Sequence, residues 1–355
     1  MYCSRTLVTT FFLTTLCASA AIAQPGAGGV IHRDSVPAPA LRHNMVGDPY
    51  WDRVSIYIPP SYNREPRRRY PVLYFLHGFD ADERALIQGH YQNLNIRLSM
   101  DSLIHAGLVK EMIVVMPNAR NAFNGSFYTN SPVTGNWEQF IVRDLVNYVD
   151  RKYRTIKSRD SRGIAGHSMG GYGALRIAMR HPEVYSAVYA LSPYGIAFDD
   201  SIEGTYQKNW RAAAGLRTWS QYAKAGFVTN LLMAFGAANA PDLSNPPFYV
   251  SLPYIAHGDS MILDRRIARR WSIRPMEMAP ELVDNLRRLS IAFDAGTLDG
   301  FKDIPTRANE FDNLLSSLGV PHSFELYVGG HGDHIRSRIE SKLLPFFSKE
   351  LVPRQ

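Results

Sequence analysis

The chain has 355 residues, 45% of them hydrophobic and 20% charged, with a formal net charge of +7. That is ordinary globular composition with enough apolar residues for a large core, and the length fits one large domain or two. The two cysteines, Cys3 and Cys17, both fall in the first 23 residues, so the remainder excludes disulfides, cysteine nucleophiles and cysteine–zinc sites.

Residues 1–23 carry one charge, Arg5, followed by a short apolar run and the small-x-small sequence Ala21-Ile22-Ala23. The pattern is that of a secretory signal peptide cleaved before Gln24, and the run is too short to span a bilayer comfortably. A secreted or periplasmic location is expected, with no membrane span once the leader is gone. Losing Arg5 takes the charge from +7 to +6. The basic residues are scattered, and no aromatic interleaving accompanies the runs at 67–69, 265–266 and 269–270. A solvated basic surface is therefore expected, with no nucleic-acid partner.

Residues 53–58 read as a strand stopped by Pro59-Pro60. The continuous apolar run 69–76 reads as a strand buried on both faces. A helix is expected over 94–106, a second buried strand over 112–117, and a loop rich in Asn, Gly and Ser over 118–135. Apolar residues Phe140, Ile141, Leu145, Tyr148 and Val149 recur at helical spacing and predict a helix over 137–152. Short strands follow at 162–165 and 185–192. Between 196 and 288 the alternation of strands and helices stops, with helical pieces expected around 210–217 and 261–270. It resumes with a strand at 289–294, a helix at 304–318, a strand at 323–327 and a closing helix at 335–349. Strands alternating with helices imply a mainly parallel sheet covered on both faces. The expected organisation is a leader at 1–23, an α/β core from 24–195 and 289–355, and an inserted, mostly helical cap at 196–288.

The segment Gly166-His167-Ser168-Met169-Gly170 is a G-x-S-x-G pattern between a short strand and a helix rich in Ala, Leu and Met. This is the context of a nucleophile elbow, where a tight turn holds the serine hydroxyl clear of the sheet. A serine hydroxyl needs a base, and the base needs an orienting acid. In the order Ser, acid, His, the chain offers Ser168, then Asp299 after the strand at 289–294, then His331 within Gly329-Gly330-His331-Gly332. Asp294 and His334 are the rivals; a strand-end hydrogen bond suits Asp294, and the start of the closing helix suits His334. A metal site through His331 and His334 lacks a supporting third ligand. Met169 and Phe79 are the candidate oxyanion donors, one following the nucleophile and the other in the His77-Gly78-Phe79 loop. Packing and loop hydrogen bonding are the expected roles of His77 and His167.

His77-Gly78-Phe79, Trp137-Glu138-x-Phe140, Gly166-His167-Ser168-Met169-Gly170-Gly171 and Gly330-His331 together resemble the Putative esterase family. This α/β-hydrolase group includes feruloyl and acetylxylan esterases, esterase D (S-formylglutathione hydrolase) and secreted mycolyl transferases. Asp294-x-Gly296-x-x-Asp299 is similar to the acid loop of esterase D, which supports Asp299 by position. The resemblance spans about 53–192 and 289–347 and leaves the insertion uncovered. It implies an α/β-hydrolase fold and a serine carboxylesterase that forms an acyl-enzyme without a cofactor, on small-molecule or glycan esters. An acyltransferase using the same triad, or a catalytically silent module binding glycans or acylated ligands, are the alternatives. Trp137, Phe248 and Tyr249 are candidate substrate contacts, although aromatic residues in such an insertion also serve as its own core.

Overall fold

The computed structural model describes residues 28–198 and 204–351; the expected leader at 1–23 lies outside them. Eight strands form one sheet: β1 (Val30–Pro37), β2 (Trp51–Ile58), β3 (Val72–Leu76), β4 (Ile113–Pro117), β5 (Arg162–His167), β6 (Ala187–Leu191), β7 (Ser290–Gly296) and β8 (Ser323–Tyr327). Their spatial order is β1-β2-β4-β3-β5-β6-β7-β8. β2 pairs antiparallel with both β1 and β4, and every other pairing is parallel. Three central strands, β3, β4 and β6, are buried at every residue. This explains why they read as unbroken apolar runs and not as alternating ones.

The alternation is present, but it separates two buried faces. Val72, Tyr74, Leu76, Val115, Ile164, Val188 and Phe293 point into one apolar cluster. Leu73, Phe75, Val114, Met116, Ala165, Tyr189 and Ala292 point into the other. The second face is covered by α1 (Ile96–His105) and the closing helical stretch 335–350 through Ile96, Met100, Ile339, Leu343 and Phe347. The first face is covered by the helical stretch 137–152, whose middle turn is π-helical at Phe140–Leu145, by α3 (Met169–Arg180) and by Asp303–Ser317. Here α2 denotes 137–152. Full burial of one such side chain contributes about 1.5–3 kcal/mol.

Glu138 fastens α2 to α3. It pairs with Arg176, with Arg180 Nε at 2.9 Å and with His181 Nε2 at 3.0 Å. Burial opposes its ionisation, but the His181 hydrogen bond and the two guanidiniums overcome that and hold the carboxyl down to about 2.

The segment 196–288 contains α4 (Gln207–Gly215), α5 (Phe227–Asn239), a hairpin from Tyr254–His257 and Ser260–Leu263, and α6 (Arg265–Trp271). Two sequence expectations change here. Met261 lies in the hairpin, because Gly258 (φ 57°) turns the chain and Asp264 starts α6 by accepting from the Arg266 and Ile267 amides. α5 was not expected: ten of its residues are buried, so it shows no polar stripe to mark a helical period. Among its described residues, the segment shows no apolar cluster separate from the sheet's. Trp210, Phe235 and Trp271 belong to the cluster that covers the sheet, alongside Ile164 and Tyr172. Ser131 Oγ and Thr129 Oγ1 donate to the α5 carbonyls of Ala237 and Ala238, and Tyr172 donates to Asn239. Among the described residues, no helix is long and apolar enough to cross a membrane.

Candidate active site

Ser168 links β5 to α3 with φ 57° and ψ −118°, a conformation costing on the order of 1–3 kcal/mol for a residue with a side chain. Backbone bonds hold it there. Its N–H donates to Leu191 O at 2.9 Å, and its carbonyl accepts from Tyr172 N at 3.0 Å and Tyr194 N at 3.2 Å. Two glycines make room for the turn. A Cβ on Gly166 would lie 2.2 Å from Gly170 O, and one on Gly170 would lie 2.0 Å from Leu76 O. No side chain fits at either position, which is the physical content of the G-x-S-x-G spacing.

The carboxyl ends of β7 and β8 bring the other two residues to the serine. His331 Nε2 lies 2.9 Å from Ser168 Oγ, and His331 Nδ1 lies 2.7 Å from Asp299 Oδ2. With Asp299 as a carboxylate, Nδ1 carries the proton and Nε2 accepts from the serine hydroxyl. Asp299 is fully buried, and its Oδ1 accepts from the Phe301 amide at 2.8 Å. Asp294 is engaged elsewhere: its Oδ2 accepts from Arg338 Nε and Nη2 and from Tyr189 Oη, at 2.9, 2.7 and 2.9 Å. His334 begins the closing helix in a left-handed conformation (φ 59°), its ring against Tyr327.

The His77–Phe79 turn crosses directly over the elbow, since a Cβ on Gly78 would lie 3.5 Å from Ser168 Cβ. His77 shapes that turn. Its Nδ1 lies 2.7 Å from Gly78 O, its Nε2 accepts from Ala119 N at 2.8 Å, and its carbonyl accepts from Tyr128 Oη at 2.9 Å. Burial pushes its imidazole down to about 4, so it is neutral near pH 7. Gly125 packs beneath both Phe79 and Met169. Among the described residues, neither the Phe79 nor the Met169 backbone N–H donates to a protein acceptor. The Met169 amide also opens α3, where the helix dipole favours negative charge. The two amides remain the candidate pair for an oxyanion.

His167 does more than fill space. Its Nε2 lies 3.0 Å from the backbone carbonyl of His331, and the two rings are 4.8 Å apart. Facing a carbonyl, Nε2 must carry the proton; Nδ1 is buried without a hydrogen-bond partner among the described residues. Burial, and then the neighbouring His331, hold its imidazole well below the ordinary range. The residue before Ser168 therefore holds the loop that carries His331, a link that spacing alone does not reveal.

The expected substrate contacts are placed differently. Trp137 is 3% exposed, with its indole N–H donating to Thr134 O at 2.7 Å and its ring against Phe140, which leaves it no face for a substrate. Phe248 sits in an aromatic cluster with Phe123, Trp219 and Tyr222. It also lines a groove of about 550 Å³ built with Leu216, Met233, Tyr254 and Ile267 of the insertion. Tyr249 occupies a left-handed turn position (φ 55°) with its amide bound to Asn245 O. Phe301 instead stands against the His331 ring, with Tyr194 and Phe227 against Phe301 and Phe79 against Phe227. The sequence pattern gave no sign of Phe227 or Phe301. Among the described residues, no group of three or more His, Cys, Asp or Glu side chains could hold a metal ion.

Residues 52–337 match the family described as Putative esterase, and the chain belongs to that family. An esterase of Mycobacterium tuberculosis is 35% identical over 133 residues, covering 36% of this chain and 26% of that protein. An endo-1,4-beta-xylanase/feruloyl esterase of Xylanibacter ruminicola is 31% identical over 140 residues, covering 37% of this chain and 18% of that protein. The chain thus spans about a quarter or less of the length of these relatives. Among solved structures, a ferulic acid esterase superposes with a TM-score of 0.61 at 24% identity, covering 91% of this chain and 98% of that one. An S-formylglutathione hydrolase of Staphylococcus aureus superposes with a TM-score of 0.55 at 17% identity, covering 90% and 99%. The fold is that of the α/β-hydrolases.

Proposed function

We propose that the protein is an exported serine carboxylesterase. The observation that carries this reading is the continuous hydrogen-bond path from Ser168 Oγ through the His331 ring to the buried Asp299. His331 Nε2 takes the hydroxyl proton as Oγ attacks the ester carbonyl, and Asp299 stabilises the imidazolium that forms. The amides of Phe79 and Met169 receive the charge developing on the carbonyl oxygen. His331 then passes its proton to the leaving alcohol, which leaves an acyl group on Ser168. A water molecule, deprotonated by the same ring, releases the acid. Nothing in these steps requires a cofactor.

Membership of an esterase family and the names of the esterase and feruloyl esterase relatives support carboxylic esters as the substrate class. Within this reading the 196–288 insertion is a cap over the site, and the leader at 1–23 directs export. The test is hydrolysis of p-nitrophenyl acetate by purified protein alongside Ser168→Ala. Turnover by the wild type and loss in the variant support the proposal, and equal turnover by both refutes it. N-terminal sequencing of the exported protein should begin at Gln24.

A further inference from the structure

One residue of the insertion reaches the rim of the site. α5 begins directly after Gly226, whose φ of 86° turns the chain sharply into the helix. The first helical residue, Phe227, is 50% exposed although the rest of α5 is largely buried. Its ring stands edge-on to Phe79, with centroids 5.3 Å apart and planes at 86°. On its other side it lies 6.4 Å from Phe301, which is itself edge-on to the His331 ring at 5.1 Å and to Tyr194 at 5.3 Å. Phe79, Phe227, Phe301 and His331 therefore form a continuous row of rings that ends on the imidazole bonded to Ser168. Leu298, in the loop that carries Asp299, adds a 64% exposed apolar side chain. The charge following Phe79, Asp80, is paired with Arg120 at 2.9 Å.

Resting on the esterase reading above, we propose that Phe227 is a specificity-determining residue and forms the wall for a bulky apolar acyl group. The assignment to the acyl side follows from the proton path. His331 Nε2 delivers the proton to the leaving oxygen, so the alcohol departs on the His331 side, next to Phe301. The acyl substituent extends away from His331, toward the end of the aromatic row where Phe227 packs on Phe79. A half-exposed phenylalanine ring stabilises an apolar group there by removing apolar surface from water, and does little for an acetyl group.

The test uses p-nitrophenyl acetate, hexanoate and benzoate, which share one leaving group, and a second series of acetate esters with alcohols of increasing size. Two variants are compared with the wild type. Phe227→Ala removes the wall. Phe227→Asp makes it polar, and a carboxylate at the first helical position suits the helix dipole and preserves the fold. The benzoate-to-acetate and hexanoate-to-acetate ratios of kcat/KM should fall about tenfold in Phe227→Ala and further in Phe227→Asp, the scale expected for loss of an apolar wall contact. A loss confined to benzoate identifies an aryl acyl group, and an equal loss for hexanoate identifies a longer aliphatic one. Ratios within twofold of wild type in both variants overturn the proposal, as does a change confined to the alcohol series. Ser168→Ala, measured in parallel, separates this from failure of the esterase reading: if it retains turnover, the triad assignment fails whatever the ratios show.

Discussion

Asp299 Oδ2 lies 2.7 Å from His331 Nδ1, while Asp294, five residues earlier on the same strand and loop, is bound to Arg338 and Tyr189. The two carboxylates therefore separate by role. Asp299→Asn should leave the fold intact and lower kcat by about 10³–10⁴-fold, because an amide that donates to Nδ1 imposes the wrong tautomer. Asp294→Asn weakens a buried pair with Arg338 and should cost on the order of 3 kcal/mol of stability with a small effect on kcat. Steady-state kinetics and urea unfolding of both variants test this, and the reverse ranking would move the acid to Asp294.

His167 separates a hydrogen bond from a packing role. Glutamine places an amide N–H near the position of Nε2, and phenylalanine keeps the ring shape without a donor. His167→Phe should lower kcat by about 10- to 100-fold through displacement of His331, with KM less affected, and His167→Gln should recover much of the loss. Equal activity of the two variants would assign His167 to packing alone.

His77 ties stability to pH. Its folded-state value of about 4 lies below the ordinary histidine value of 6.5, so between these two pH values the unfolded chain binds the additional proton. Its contribution to stability is complete above pH 6.5 and declines as the pH falls toward 4. Melting temperature should drop across that window, and the drop should be shallower in His77→Gln. A wild-type slope matched by the variant would remove His77 as the source.

The parallel-sheet architecture was legible in the sequence because β3, β4 and β6, buried on both faces, leave continuous apolar runs bounded by turns. Ser168 was legible because the elbow excludes a Cβ at Gly166 and Gly170, and so marks itself with a fixed glycine spacing. The glycines around His331 and the loop after β7 pointed to the other two residues, and position already favoured Asp299 over Asp294; the structure adds that Asp294 is held by Arg338 and Tyr189. The insertion was less legible. α5 is buried nearly all round, so it lacks a polar face. Aromatic residues in a sequence do not declare which of them pack inward: Trp137 does, and Phe227 does not. That difference depends on Gly226 and on tertiary contacts with Phe79 and Phe301, none of which has a local pattern.

Removal of the whole insertion is a poor test of substrate selection. Phe235 packs on Phe127 and Tyr172, and Trp271 packs on Phe235, so a short linker in place of 196–288 would expose part of the sheet's own cover. The trimmed protein should lose cooperative unfolding in a thermal melt. A sharp transition near the wild-type temperature would show that the insertion contributes little to the core.

In the proposed mechanism Ser168 is the nucleophile, on which every later step depends. The most direct measurement is reaction of the purified protein with a fluorophosphonate, followed by intact mass and peptide mapping, with Ser168→Ala treated in the same way. A single adduct on the peptide containing Ser168, absent from the variant, together with a loss of ester turnover of about 10⁴-fold, is the predicted result. An adduct on another residue, or labelling and turnover that persist in Ser168→Ala, would contradict it.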